Sequence, residues 1–226
     1  MSTRWSLNAL QKWIEANHPP ESAALELVKS MSRSSGILAY HVIQVRDAFK
    51  PFTSDDGDKQ KIFAAMMGFD EEFSRAALAN EANLIACIHT VRNYADIFAQ
   101  LVNVLALPTP LDAWECSFEE VTKKLPQSPL KQQLSAVTTS HWFKYLAAFS
   151  NMSKHRQLVR YAPTISFLED RTGARVQAFE FRPAGKKAVA VQYPSYWGEE
   201  VLEGAYSVFR ELLACGQELN RQVIGA

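Results

Sequence analysis

The chain has little of what nucleotide-dependent and hydrolytic enzymes write into short motifs. Its 226 residues contain no Gly-x-Gly-x-x-Gly, no Gly-x-x-x-x-Gly-Lys-Ser/Thr, no Gly-x-Ser-x-Gly and no His-Glu-x-x-His. Each of those chemistries depends on its spacing, so their absence sets dinucleotide, P-loop, serine-hydrolase and zincin readings aside. Only nine glycines occur, and they are scattered, which leaves no phosphate-cradling loop. The three cysteines, Cys87, Cys116 and Cys215, are too far apart for a zinc pair and sit in apolar helical patterns. They read as buried thiols of a reducing compartment, with no disulfide framework.

Charge of one sign is missing too. Lys plus Arg and Asp plus Glu are 24 each, so no global field steers the chain toward nucleic acid or an anionic membrane. A polyanion site, if the chain has one, must be local. No run of eighteen uncharged apolar residues occurs and the N-terminal stretch has no continuous apolar core, which predicts a cytoplasmic protein without a membrane span. The polar cluster from Phe52 to Asp58 lacks the alternating oxygen ligands of a calcium loop and reads as a loop. No metal or cofactor is expected.

What the sequence does contain is helical periodicity, with 47% hydrophobic residues to supply a core. Leu7, Leu10, Trp13 and Ile14 recur at helical spacing until His18 and the two prolines after it. From Ala23 to about Phe49 the period continues through a Ser-rich stretch near Gly36, as two helices or one kinked one. A short helix through Ile62 and Met66 precedes the longest pattern, Asp70 to about Leu107, which as a helix spans on the order of 55 Å. Ser117 to Glu120 reads as a capping box opening a brief helix, and Ser128-Pro129 as the start of another that runs through Phe149 toward Tyr161. The period then changes to two, with Ile165 and Phe167, Phe179 and Phe181, and Val189, Val191 and Tyr193 assigned to one apolar face. Residues 162–195 are therefore predicted to form a three-stranded antiparallel insertion before a last helix, Gly198 to Val223. The expected fold is mainly α: residues 1–226 as a single helical bundle with one very long helix and a small β-meander.

Two constellations carry chemistry. On the long helix, Glu81, His89, Arg92, Asp96, Gln100 and Asn103 fall within one arc of roughly 100°, opposite Leu84, Ile88, Val91, Phe98 and Val102. This stripe is either the wet face of an amphipathic helix or a strip covered by a second helix or subunit, where Arg92 and Asp96, four apart, must pair. The second constellation is "SNMSKHRQLVRY", Ser150 to Tyr161. Here Asn151, Lys154 and His155 share a helix face, with Arg156 beside them and Lys144 and His141 earlier. Cations gather at helix C-termini for dipole reasons alone. The same set can also grip a phosphodiester, with His155 as acid or base and Lys154 or Arg156 stabilising charge. From Lys154 to Lys187 eight basic residues, Lys154, Arg156, Arg160, Arg171, Arg175, Arg182, Lys186 and Lys187, face three acidic ones. That local surplus suits RNA, phosphate or an acidic partner protein. His18 and His41 read as structural.

A long helix bearing "EANLIACIHTVRNYADIFAQLVN", followed by a helix ending "FSNMSKHRQLV", resembles the bacterial HEPN-like helical proteins, many of which carry an Asn/Asp-x-x-Lys-His-Arg segment at this place. The resemblance covers roughly Asp70 to Tyr161. It implies an RNA-directed, defence or toxin-type protein that acts as a homodimer without a metal, with Asn151, Lys154, His155 and Arg156 as the matched site. The family's Arg-x(4–6)-His motif is absent: no arginine has a histidine five to seven positions downstream, and Arg33 to His41 overshoots by one. Beside a metal-independent ribonuclease stands a non-catalytic scaffold that dimerises through the long helix. A third reading is a small-molecule enzyme with His89, Arg92 and Asp96 around a pocket inside the bundle.

Overall fold

In the computed structural model, residues 5–19, 22–52, 59–68, 70–183 and 189–225 are described. Among them eight α-helices account for most of the chain: α1 (Leu7–Asn17), α2 (Ala23–Asp47), α3 (Lys59–Met67), α4 (Glu71–Ala106), α5 (Phe118–Lys124), α6 (Pro129–Thr139), α7 (His141–His155) and α8 (Gly198–Ile224). Five short strands lie between α7 and α8. The expected mainly helical class, the long fourth helix and the small antiparallel insertion before the last helix are all present. No helix among the described residues is long and apolar enough to cross a membrane. The predicted loop at Phe52 to Asp58 falls, after Phe52, outside the described residues.

Helix starts follow the capping residues that the sequence offers. Ser6, Ser117 and Ser128 accept from Ala9 N, Glu120 N and Lys131 N, and Asp70 accepts from Phe73 N. Pro129 occupies the first turn of α6, where its missing N–H costs nothing. The region from Ala23 to Asp47 is one helix, not two. Its Ser35 hydroxyl bonds back to Met31 O, so the Ser-rich stretch stays helical through Gly36.

The single helix expected from Ser128 toward Tyr161 is divided. Thr138 and Thr139 turn their hydroxyls onto the carbonyls of Ser135 and Ala136, Ser140 is extended at ψ 147°, and its Oγ accepts from Phe143 N to cap α7. At the other end α7 stops at His155, and β1 begins only at Tyr161.

The insertion also differs from a three-stranded meander. Strands β1 (Tyr161–Ser166), β2 (Arg171–Val176) and β5 (Tyr196–Trp197) form one antiparallel sheet in the order β1-β2-β5. Strands β3 (Phe179–Phe181) and β4 (Val191–Tyr193) form a second, with Phe179 opposite Tyr193. The predicted common apolar face does not exist: Phe167 and Val189 are exposed, and Phe167 lies in the turn between β1 and β2. Instead Phe179 stacks on Tyr193 at 5.0 Å, and both meet the buried Tyr145 of α7 edge-on. An aromatic cluster, rather than alternation, seats the small sheet.

The chain divides into two compact units. One comprises Met1–Ile37, Thr90–Lys144 and Tyr206–Ala226, the other Leu38–His89 and Tyr145–Ala205. In the first, Trp5 donates its indole N–H to Asn220 Oδ1 at 3.0 Å and meets Phe98 edge-on. Gly216 of α8 makes room for it, since a Cβ there would lie 2.2 Å from the indole. The second unit holds the small sheets and the end of α7. There Asn80 of α4 donates to Val45 O of α2 and accepts from Tyr161 of β1, so one buried amide joins three elements.

Candidate functional site

The last two turns of α7 lie against α4 in the second unit. Ser150, 3% exposed, meets His89 Nδ1 at 2.9 Å through its Oγ. Lys154 follows Ser150 by four residues and therefore lies above it on the same helix face. Burial first and the Lys154 charge second push the His89 pKa below its ordinary 6.5. At neutral pH His89 is thus an uncharged imidazole beside an ammonium group, with Nδ1 engaged by Ser150.

Asn151, Lys154, His155 and Arg156 are all exposed. Asn151 and His155 share the neighbouring face of α7, four residues apart. Arg156 lies beyond the helix end and is held: its Nη2 donates to Arg182 O at 2.7 Å, and its guanidinium lies 5.1 Å from the Phe181 ring centre. It braces the end of α7 against β3. Arg160 and Arg182 are exposed, and Arg160 is tied into the fold through its carbonyl, which accepts from Gln177 N.

The rest of the predicted basic surface is arranged differently. Arg171 bonds to Glu199 at 2.8 Å, and Arg175 bonds to Glu169 Oε2 at 2.6 Å. Both guanidiniums cover the Trp197 ring, at 4.9 and 4.4 Å, while the indole N–H of Trp197 donates to Glu169. Bonds from Arg175 and Trp197 hold the Glu169 carboxyl below the usual range. These two arginines have their charge met inside the chain and act as structure. Lys186 and Lys187 lie outside the described residues.

The stripe on α4 is neither uniformly wet nor one site. Glu81, near Tyr161, is half-buried, and burial raises its pKa. Arg92 and Asp96, both in the first unit, stand 3.8 Å apart, with Arg92 only 15% exposed and Asp96 at 57%. Arg92 lies over the Phe143 ring at 4.5 Å, and its Nη1 is buried without a hydrogen-bond partner. Gln100 and Asn103 clamp the connection to α5: Asn103 exchanges two bonds with Leu111, and Gln100 donates to Ala113 O. Two of the six stripe residues therefore anchor a loop.

Among the described residues no three His, Cys, Asp or Glu side chains gather where they could hold a metal ion. The structure joins His89 to the end of α7 in the second unit, while in the first unit Arg92 packs on Phe143 and faces Asp96. Ser150, the hinge of that pairing, had no signal of its own, because a contact across 61 residues is not written in helical period. His41, read as structural, does bond Asn83 at 2.8 Å. Comparison with known proteins finds no matching family model, no matching curated protein and no matching solved structure.

Proposed function

We propose that the chain is an RNA-directed protein of HEPN-like type that cleaves or grips a phosphodiester at the C-terminal end of α7 without a metal. The observation that supports this reading most is the neutral His89, fixed by Ser150 beside the Lys154 ammonium. Lys154, with the exposed Arg160 and Arg182, supplies cations for phosphate oxygens. Neutral His89 is suited to take the ribose 2′-hydroxyl proton as that oxygen attacks phosphorus. His155 then donates a proton to the departing 5′-oxygen, so that the P–O5′ bond breaks and a cyclic phosphate is left. Arg156 positions the helix end rather than the phosphate, because its guanidinium is already engaged by Arg182 O.

The test is incubation of wild-type, His155→Ala and His89→Ala protein with a pool of structured RNA in chelator. Cleavage by wild type and its loss, by at least about a hundredfold, in His155→Ala at unchanged melting temperature is the expected result. His155 is exposed, so an equal loss of stability would assign it to packing. No cleavage by any of the three proteins would end the enzymatic reading.

A second reading, a scaffold that pairs with its own copy through the long helix, is supported by Leu78, which is 66% exposed on α4, with Tyr40 and Ile43 exposed on α2 of the same unit. Exposed apolar side chains of this size suit a protein partner.

A further inference from the structure

The second unit contains a cavity of about 380 Å³ at the C-terminal end of α2, unconnected with the residues proposed to meet RNA. Its volume falls within the range of small-ligand pockets. Phe49, Phe52, Phe73, Ile62 and Leu202 give it an apolar wall. Phe73 meets the rings of Phe49 and Phe52 at 5.8 and 5.3 Å, so the wall is a packed aromatic surface. Asn80 is the buried polar side chain of the lining. It is 5% exposed, with its amide committed to Val45 O and to Tyr161. The interior therefore offers apolar contact rather than a demand for hydrogen bonds.

Charge is confined to the mouth. Arg46 and Lys50 line it four residues apart, in the last turn of α2 and the short turn after it. Their partners, Glu203 and Asp47, form solvent-exposed pairs that exchange readily. The acidic lining residue, Glu199, is taken up by Arg171 at 2.8 Å. An apolar chamber with two exchangeable cations at its opening selects a molecule with an apolar body and one anionic end.

We propose that this cavity binds a small amphipathic carboxylate, its aliphatic or aromatic body against the phenylalanine wall and its carboxylate between Arg46 and Lys50. The site does not depend on the RNA reading, and none of its residues belongs to the end of α7.

The experiment loads the full chain with anilinonaphthalene sulfonate and displaces it with octanoate, dodecanoate or, as the uncharged control, octanol. Saturable displacement by the carboxylates at concentrations where octanol is at least about tenfold weaker is the expected result. In Arg46→Gln/Lys50→Gln, both surface changes, octanoate should weaken about tenfold while octanol does not change. Thr172→Phe, at a half-buried lining position of β2, should fill the chamber and remove displacement while far-ultraviolet circular dichroism stays that of wild type. Octanol displacing as well as octanoate, unchanged octanoate affinity in the charge variant, or no saturable displacement at all would each overturn the proposal.

Discussion

At the scale of single residues, His89 shows how much a neighbour decides. Its pKa is depressed in the folded chain by burial and by Lys154, so the unfolded state binds the proton more readily. The stability this contributes is fully present above the unfolded value near 6.5 and is lost as pH falls through the lower folded value. Acid titration of the melting temperature should therefore show a decline beginning below about pH 6.5 that is flattened in His89→Gln. Replacing Lys154 with Gln removes the second cause, and the His89 pKa, followed by its ring proton resonances, should rise; an unchanged value would mean burial acts alone. Nothing in the sequence pointed to this coupling. His89 was visible as part of a polar stripe and Lys154 as part of a basic stretch, but the two belong to helices whose packing no periodicity specifies. Arg171 and Arg175 teach the opposite lesson: they counted as polyanion contacts in a charge tally, yet Glu169, Glu199 and the Trp197 ring consume them.

At the scale of elements, helices were legible because their signals are local. Apolar residues at three and four spacing marked α1, α4 and α8, and serine caps marked the starts of α5 and α6. The break at Ser140 is not legible in the sequence because the apolar period runs on through it, while the competing hydroxyl bonds of Thr138, Thr139 and Ser140 are conformational choices between alternatives of similar energy. The region of the strands is legible in the period of two, but their pairing into β1-β2-β5 and β3-β4 is not. Such short strands gain most of their stability from what they pack on, here Tyr145, and two-residue periodicity cannot report that. One element-level prediction concerns α8. A methyl group at Gly216 would collide with the Trp5 indole, so Gly216→Ala should lower stability by about 1–3 kcal/mol despite its better helix propensity. Urea unfolding measures this, and a gain in stability would show that Trp5 is not seated on α8.

At the scale of the whole molecule, the balance of 24 basic and 24 acidic residues gives no global field, so charge acts through local surfaces. The exposed Leu78, Tyr40 and Ile43 suit an interface between copies of the chain. Light scattering should return twice the chain mass for the wild type and once that mass for Leu78→Lys, whose change at an exposed helix position spares the core. A wild-type monomer at micromolar concentration would remove the scaffold reading.

The sequence by itself determined the helical class, the length and position of α4 and the site of the β insertion, because each is a matter of spacing along the chain. Tertiary structure alone decided that burial and Lys154 hold His89 neutral where Ser150 engages it, that Gln100 and Asn103 clamp a loop, that two arginines are spent on Trp197, and that a cavity opens beneath Arg46 and Lys50. Those outcomes depend on groups distant in sequence meeting in a low-dielectric interior, where the neighbour sets the charge state and the hydrogen bond. Local pattern carries no record of it.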